Sequence, residues 1–408
     1  MLVRLAEVDL RQPLAPIYVD ERYGRLSVLV RWGYCPLEMV HFWCQPGMRV
    51  VTAEQLRAEI VRQTAWTLWE RAITGDLERL DPDSALPLPP ITVVVCTRDR
   101  PLLLQRCLAA LARLDYPEYE VVVVDNASRD PTVAEVVAQS GCRYVREDTP
   151  GLDRARNRGI EAAAHDLVAF IDDDALAAPG WLRGLALGFQ DPEIMAVTGL
   201  VLPAEIETPA QAEFEFYGGM SKGFVAKTIR QTALTDQGRL WASNWGVGTN
   251  MAFRRPLFAA IGCFDPALDV GTPAGGAGDL EFFQRLVAEG HALRYEPAAM
   301  VYHLHRRDDW GLRRQIYQNG RSFGAYLLTV ARSYPRRRAE VLRFTLRRWL
   351  WDWLLKRLLK GVLRRDRLTR DQALTELRGA CTAVSAYRRS RRLARQAGAP
   401  AGNSCASD

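Results

Sequence analysis

The sequence lacks several features that would place it in a specialised class of protein. None of its apolar runs approaches the ~20 residues that a membrane-spanning helix needs. Glu7 and Asp9 interrupt the N-terminal stretch where a signal peptide needs an unbroken apolar run, so we expect a cytoplasmic protein. The eight cysteines include no CxxC pair, which argues against a disulfide framework or a zinc site. No signature of a nucleic-acid-binding fold occurs, so nucleic acid is not an expected partner.

Charge is unevenly distributed along a chain whose overall composition is that of a globular protein. The 408 residues are 48% hydrophobic and 25% charged, which suits two or three folded domains. Residues 331–395 hold 20 arginines or lysines against 5 acidic residues, a net charge of +15, whereas residues 1–330 carry −8. The basic end therefore predicts an anionic partner.

A proline-rich linker separates an N-terminal segment from the rest of the chain. The stretch DPDSALPLPP (81–90) contains four prolines in ten residues, which is typical of a boundary between domains. Before it, YGRLSVLVRWG predicts a strand, and Thr52 with Gln55 predicts a capping box at the start of a helix that continues through Trp69. We predict three regions: an accessory α+β domain (1–86), an α/β domain (87–310) and a basic helical region (311–408).

Strands alternate with helices from residue 91 onward. Continuous apolar runs predict four strands, at 91–96, 120–125, 142–145 and 166–171, and helical spacing fills the intervals at 102–114, 131–139 and 155–164. Runs without polar alternation are typical of parallel strands that helices cover on both faces. In such sheets ligands bind at the carboxyl ends of the strands, so the residues that follow each run are the first candidates for a site.

Polar side chains follow three of these four strands. They are Thr97, Arg98 and Asp99 after the first, Asp125 and Asn126 after the second, and Asp172, Asp173 and Asp174 after the fourth. Carboxylates at i and i+2 after a strand can converge on one hard divalent cation such as Mg²⁺ or Mn²⁺. A metal that only a few protein carboxylates hold keeps open positions, and these suit substrate phosphates.

Six segments, in this order and spacing, resemble family 2 glycosyltransferases of the GT-A fold. They are CTRDRPLLLQRCL, EVVVVDNASRD, GLDRARNRGI, FIDDDA, WGVGTNMAFRRPLFAAIGCFD and GGAGDLEFFQRL. The resemblance covers about residues 88–310. It implies an α/β fold with a Rossmann-like, mostly parallel central sheet and helices on both faces. It also implies an inverting, metal-dependent enzyme of the hexosyltransferase type that uses a nucleotide-diphosphate sugar.

The resemblance also implies roles for individual residues. Those expected to bind the donor are Thr97, Arg98, Asp99, Asp125, Arg154, Asn157, Asp173 and Asn250. The expected ligands of Mg²⁺ or Mn²⁺ are Asp172, Asp174 and, in VYHLHRRDD, His303, with His305 as the second choice.

The same resemblance places the general base in GGAGDLEFF. Inversion needs a carboxylate that takes the proton of the acceptor hydroxyl. Family members usually show Glu-Asp here with the Asp as base, whereas this chain has Gly278 and Asp279. Asp279 is therefore the expected catalytic residue, with Glu281 as a competing candidate.

One apolar stripe in the basic region suggests a surface helix. Its members are Val341, Phe344, Trp351, Leu355, Leu358 and Val362, with arginines, lysines and tryptophans on the flanks. The pattern fits a helix that lies in the interface of an anionic membrane. The alternative is a helical appendage that packs on the catalytic domain.

Together these features predict a cytoplasmic glycosyltransferase, peripheral on the inner face of the cell membrane, with a glycan or lipid-linked acceptor of the cell envelope. A sugar-nucleotidyltransferase is one alternative, but it would need a glycine-rich phosphate loop after the first strand, and CTRDRP contains no glycine. A non-catalytic binding protein on a transferase fold is another, and loss of Asp172, Asp174 or Asp279 would favour it. All three are present.

Overall fold

A computed structural model describes residues 2–396, apart from 46, 48, 80–85 and 236–237. Within these residues the strands are β1 (Leu2–Asp9), β2 (Ile17–Tyr18), β3 (Tyr23–Trp32), β4 (Cys35–Trp43), β5 (Val50–Val51), β6 (Ile91–Thr97), β7 (Tyr119–Asn126), β8 (Arg143–Glu147), β9 (Leu167–Asp172), β10 (Ala175–Ala177), β11 (Ile194–Pro203), β12 (Lys227–Ile229), β13 (Asn250–Arg254) and β14 (Ala292–His303).

The helices are α1 (Ala53–Ile73), α2 (Asp76–Arg79), α3 (Pro101–Leu111), α4 (Thr132–Ser140), α5 (Leu152–Ala162), α6 (Trp181–Gly188), α7 (Pro209–Tyr217), α8 (Pro256–Ile261), α9 (Gly278–Ala288), α10 (Asp309–Ser333), α11 (Arg338–Phe344), α12 (Lys356–Leu363), α13 (Arg367–Cys381) and α14 (Ala383–Gln396). A π-helical segment, Thr345–Leu355, joins α11 to α12.

A mixed sheet forms the centre of the fold. Its order is β10-β14-β11-β13-β9-β6-β7-β8, and β12 pairs with β14. The four strands predicted from apolar runs are present and parallel, in the order β9-β6-β7-β8. β13 then runs antiparallel between β9 and β11, so the sheet is parallel only in part. The predicted α/β class is confirmed, with helices joining the strands.

The register of this sheet brings its polar strand ends together. Cys96 of β6 pairs with Asp172 of β9, and Thr97 pairs with Asp125 of β7. On the other side of the sheet, β10 pairs with the end of β14, where Ala175 stands opposite His303. Three distant parts of the chain therefore deliver polar side chains to one edge of the sheet.

The N-terminal segment forms a small sheet of order β1-β3-β4. The predicted capping box is present: the Thr52 hydroxyl accepts from the Gln55 backbone amide, and the Gln55 side chain accepts from the Thr52 amide. One buried hydrophobic cluster includes both Val28 of β3 and Val93 of β6, so this segment shares a core with the central sheet. Part of the predicted linker, at 81–85, lies outside the described residues.

The C-terminal helices do not present the single apolar stripe that the sequence predicted. Val341 and Phe344 are buried, but Trp351 and Val362 are 48% and 54% exposed. The π-helical winding explains the error, because i→i+5 hydrogen bonds rotate the following residues off the face that a 3.6-residue period predicts. Phe344 packs against Trp241, which precedes β13 of the central sheet, with 5.3 Å between ring centroids. This part of the segment therefore packs on the body, as the alternative interpretation held.

Candidate active site

Three predicted metal ligands meet at the acidic edge of the sheet. Asp172, Asp174 and His303 each offer one ligand atom, and these atoms lie within 4.8 Å of one another. The β10–β14 pairing places the His303 ring beside Asp174, with 3.1 Å between Nε2 and Oδ1. Carboxylates suit Mg²⁺ and Mn²⁺, and imidazole is a donor that Mn²⁺ accepts more readily than Mg²⁺. The donor set therefore fits a divalent cation.

The electrostatics of this cluster keep Asp174 ionised. Burial alone would raise the pKa of Asp174, but the hydrogen bond and charge of His303, together with the charge of Arg100, lower it to about 2. Burial would likewise lower the pKa of His303, and its contact with Asp174 raises it instead. An ionised carboxylate is the form that a metal requires.

The second candidate histidine supports the first. His305 lies outside the group of three, and its Nε2 is 2.7 Å from Oε1 of Glu215. Its Nδ1 is 3.1 Å from Nδ1 of His303. Such a hydrogen bond fixes the ring orientation of a ligating histidine, so His305 is a positioning residue for His303.

Asp173 and Thr97, both predicted to bind the donor, form a hydrogen bond with each other. The Thr97 hydroxyl donates to Asp173 Oδ2 at 2.8 Å. Arg100 Nη1 lies 3.0 Å from Asp173 Oδ1 and 3.4 Å from Asp174 Oδ2. Burial raises the pKa of Asp173 to about 6 although Arg100 opposes the shift. Sequence reasoning selected Arg98 and missed Arg100, because only the adjacency of β6 and β9 brings that side chain to the acidic strand end.

The predicted nucleoside end of the site lies at β7. The buried Asp125 carboxylate accepts from the Tyr144 hydroxyl at 2.7 Å, from Arg146 Nη1 at 2.9 Å and from the Ser128 amide at 3.0 Å. Asp99 is exposed and adopts a left-handed φ of 55°. Arg98 Nε is 3.7 Å from Asp99 Oδ2, so these two side chains neighbour each other at the rim.

Two asparagines that were expected to bind the donor have structural partners. Asn250 is completely buried; it accepts from Trp181 Nε1 at 2.9 Å and donates to the carbonyls of Leu200 and Ala299. Asn157 donates to the Phe264 carbonyl and accepts from the Phe264 amide, each at 3.0 Å. These hydrogen bonds give both side chains a structural role in the fold.

An arginine that the sequence analysis overlooked lies at the centre of the site. Arg156 is buried, with Nη1 3.0 Å from Asp153 Oδ1 and Nη2 3.9 Å from Asp172 Oδ1. Burial alone would lower its pKa, but the charges of Asp153, Asp172 and Asp279 raise it, so it stays protonated. The predicted Arg154, two residues earlier, is only half-buried. The sequence offered one sign that Arg156 is buried. It lies on the apolar face of α5, one residue from Ala155 and four from Ile160.

The expected general base stands at the start of α9. Asp279 Oδ2 accepts from the Gly248 amide at 2.8 Å, and its Oδ1 accepts from the Leu280 amide at 2.9 Å. A Cβ at position 248 would lie 2.7 Å from Arg156 Nη2 and 2.9 Å from Asp279 Oδ2, so only glycine lets the backbone pass between them. Asp279 lines the same cleft as Asp172 and Arg156.

The competing base candidate lies in the protein core. Glu281 is buried, and its two carboxylate oxygens accept from Arg285 at 3.0 and 2.8 Å. Those hydrogen bonds hold it in the core, whereas Asp279 lines the cleft.

The glycine that replaces the expected glutamate at position 278 also has a local explanation. A Cβ there would lie 1.8 Å from Asp153 Oδ2, so the Asp153 carboxylate occupies the space of a side chain. Among the described residues, Asp153 Oδ2 and Asp269 Oδ2 are buried without a hydrogen-bond partner. Burial raises the pKa of both carboxyls, that of Asp269 to about 7.

A cleft of about 830 Å³ connects these groups. Asp172, Arg156 and Asp279 line it, as does Lys222. Its lining also includes an aromatic wall of Phe214, Tyr217, Trp241, Phe323, Trp349 and Trp353. The C-terminal helices thus contribute directly to the cleft.

Comparison with known proteins agrees with this architecture. Residues 92–262 match the model of Glycosyl transferase family 2. This segment is a family 2 glycosyltransferase domain. The domain spans β6 to α8 and so contains Asp172, Asp174 and Arg156, while His303 and Asp279 follow it in the chain.

Curated relatives of this segment include glycosyltransferases. Pre-mycofactocin glycosyltransferase of Mycobacterium tuberculosis is 28% identical over 260 residues, which cover 60% of this chain and 51% of that protein. Glucosyl-dolichyl phosphate glucuronosyltransferase of Haloferax volcanii is 26% identical over 193 residues, covering 43% of this chain and 56% of that protein. The chain thus spans about half the length of these relatives.

A solved structure with the same fold is a mannosyltransferase from Pyrobaculum calidifontis in complex with GDP-Man and Mn²⁺. It superimposes with a TM-score of 0.51 at 16% identity and covers 74% of this chain and 88% of its own. The likeness supports the GT-A fold predicted from the sequence.

Proposed function

We propose that this protein transfers a sugar from a nucleotide-diphosphate sugar to a glycan or lipid-linked acceptor, with inversion at the anomeric carbon. One observation carries the proposal: a single cleft is lined by the acidic end of β9 and by Asp279 at the start of α9. Asp279 takes the proton of the acceptor hydroxyl while that oxygen bonds to the anomeric carbon. The bond from this carbon to the diphosphate breaks, and its electron pair leaves with the diphosphate.

Asp172, Asp174 and His303 would hold Mg²⁺ or Mn²⁺ in this enzyme. The bound ion supplies positive charge beside the diphosphate, as in other phosphate-binding metal sites. Arg100 orients the carboxylates of Asp173 and Asp174, and Arg156 adds a fixed positive charge between Asp153 and Asp172. The complex of the Pyrobaculum mannosyltransferase with GDP-Man and Mn²⁺ supports this choice of donor and ion.

The family match favours sugar transfer over a sugar-nucleotidyltransferase, which was the first alternative. The second alternative, a non-catalytic binding protein, would not need Asp279 to line the same cleft as Asp172. Both observations therefore support an enzyme.

A screen of nucleotide sugars tests the proposal directly. We expect one of UDP-, GDP- or dTDP-hexoses to bind in the presence of Mn²⁺ and to be slowly hydrolysed when no acceptor is added. Isothermal titration gives the affinity, and chromatography of the released nucleotide gives the rate. Free hexoses without a nucleotide serve as the control and should not replace the donor. Absence of Mn²⁺-dependent binding for all three nucleotides would contradict the proposal.

We further propose that the protein attaches to the inner face of the cell membrane through its basic region. None of the described helices is long and apolar enough to cross a membrane. Of the stripe predicted from the sequence, Trp351 and Val362 are exposed, and further apolar side chains among the arginines and lysines are exposed beside them: Leu342, Leu346, Leu359 and Leu363. Basic residues gain about 1 kcal/mol each near anionic lipid, and inserted apolar side chains add to this.

Co-sedimentation with vesicles containing phosphatidylglycerol tests the attachment. At low salt we expect the full chain to sediment, and a Leu346→Glu/Leu363→Glu variant to remain mostly in solution because it loses apolar area and gains repulsive charge. Leu102→Glu is the matched control, since Leu102 is 76% exposed on α3, far along the chain from the basic region. Physiological salt should weaken binding, because the Debye length falls to about 8 Å. Equal sedimentation of all three proteins, or none at low salt, would refute the membrane role.

A further inference from the structure

The aromatic wall of the cleft is assembled from four separate parts of the chain. Tyr217 ends α7, Trp241 lies in the connection before β13, Phe323 belongs to α10, and Trp349 and Trp353 come from the π-helical segment. The Trp241 and Trp353 rings meet edge to face, with 5.9 Å between centroids and 71° between planes. Both tryptophans are only half-buried, so part of each ring faces the cleft.

A buried carboxylate fixes the orientation of two of these rings. Trp353 Nε1 donates to Glu376 Oε1 at 3.1 Å and to Oε2 at 3.2 Å, and the Tyr217 hydroxyl also donates to this carboxylate. The Arg357 guanidinium carbon lies 4.5 Å from the centroid of the Tyr217 ring and 4.4 Å from that of the Trp353 ring. Hydrogen bonds and a cation–π contact therefore hold the rings in one arrangement before any ligand arrives.

Polar side chains lie among the aromatic ones along the same wall. Asn244, Gln315, Asn319, Ser322 and Glu376 all line the cleft. A sugar ring has a face of C–H groups that packs on an aromatic ring and a rim of hydroxyls that needs hydrogen-bond partners. A lipid chain could cover the rings, but it would offer no hydrogen-bond partner to the side-chain amides of Asn244, Gln315 and Asn319, at a cost of about 1–3 kcal/mol for each amide that it buries. The mixture of aromatic and polar side chains along the wall therefore favours a saccharide over a lipid chain.

We infer that the aromatic wall is a saccharide-binding subsite. It holds the acceptor through a sugar ring that packs on Trp353 and Trp241. The inference rests on the proposed transferase function, and it specifies the acceptor as a glycan. Trp241 and Trp353 also line a second groove, of about 670 Å³, with Arg348, Asp352 and Lys356. The subsite thus borders two cavities, which suits an acceptor of more than one sugar ring.

The π-helical segment offers a matched pair of tryptophans for a test. Trp353 lines the cleft, whereas Trp351, two residues earlier, does not line it and is 48% exposed. The probes are mono-, di- and trisaccharides of glucose, mannose and N-acetylglucosamine, titrated into the full chain. We expect at least one series to bind with affinity that rises with chain length. The titration should shift one indole N–H resonance in NMR spectra. This resonance should be missing from the spectrum of Trp353→Phe, which assigns it to Trp353.

In the variants, Trp353→Ala should weaken saccharide binding about tenfold or more, and Trp351→Ala should leave it unchanged. Trp353→Phe keeps a ring and should bind with intermediate affinity, which keeps the test valid if the alanine variant unfolds. Mn²⁺-dependent nucleotide affinity should be the same in all these proteins, because Trp353 is not one of the residues expected to bind the donor. The inference is overturned if no saccharide binds a protein that binds the nucleotide, or if Trp351→Ala and Trp353→Ala have equal effects. Saccharide binding without nucleotide binding would instead refute the transferase proposal.

Discussion

Replacement of Asp279 by asparagine should abolish most sugar transfer while donor binding persists. The variant removes the proposed proton acceptor but keeps a side chain of the same size beside the Gly248 amide, which lies 2.8 Å from Asp279 Oδ2. General base catalysis contributes about 10²–10⁴-fold, so we expect kcat to fall by about that factor. Single-turnover transfer assays give the rate, and titration with the nucleotide sugar gives the donor affinity.

Glu281→Gln is the matched control, because it makes the same chemical change two residues away. Glu281 forms a buried ion pair with Arg285, and removing one partner of such a pair costs about 3–5 kcal/mol of stability. This variant should therefore unfold at lower denaturant concentration, while the folded fraction transfers sugar normally. Near-normal turnover of Asp279→Asn would remove Asp279 from the proposed mechanism.

Replacement of Asp174 by asparagine should uncouple nucleotide binding from the metal. Asp174 offers a metal ligand atom beside those of Asp172 and His303. Substitutions of groups that merely support metal ligands weaken binding about 10–100-fold, so loss of a direct ligand should cost at least that much. Calorimetry of nucleotide-sugar binding, with Mn²⁺ and with EDTA, measures the effect. In the wild-type protein EDTA should weaken binding strongly, and in Asp174→Asn the two conditions should differ little.

The Asp173→Asn variant tests whether the loss of metal dependence is specific to a metal ligand or follows from the loss of any negative charge at this site. Asp173 lies between the two predicted ligands, but it bonds to Thr97 and Arg100 and is not one of the three clustered ligand residues. Its asparagine variant should keep the dependence on Mn²⁺. If the wild-type protein bound the nucleotide sugar equally well in EDTA, the proposed metal role would be wrong.

The sequence by itself determined the elements that depend on local patterns. Continuous valine-rich runs predicted β6 and β7, because strands that helices cover on both faces bury side chains without polar alternation, as Val93, Val94 and Val95 of β6 and Val122, Val123 and Val124 of β7 are buried. The capping box at Thr52 could be recognised from the sequence because both partners lie within one helical turn. The acidic end of β9 and the family 2 segment were likewise visible as contiguous motifs.

Only the tertiary structure decided which polar side chains share a site and which support the fold. Arg100 and Arg156 reach the acidic cluster because β9 and α5 pack beside β6, while the neighbouring Arg98 and Arg154 do not contact it among the described ion pairs. Asn250 resembled a ligand contact in the sequence, but Trp181 of α6 and the carbonyls of β11 and β14 saturate its amide.

The C-terminal region shows the same distinction. Its charge and its helices were evident from composition, but the 3.6-residue period assigned the wrong apolar face because residues 345–355 wind as a π-helix, which packs against Trp241 and α13. The joining of Tyr217, Trp353 and Glu376 in one wall depends on segments far apart in the chain. Local sequence encodes the direction of a side chain relative to its own element, whereas the partner it meets depends on which distant elements become neighbours.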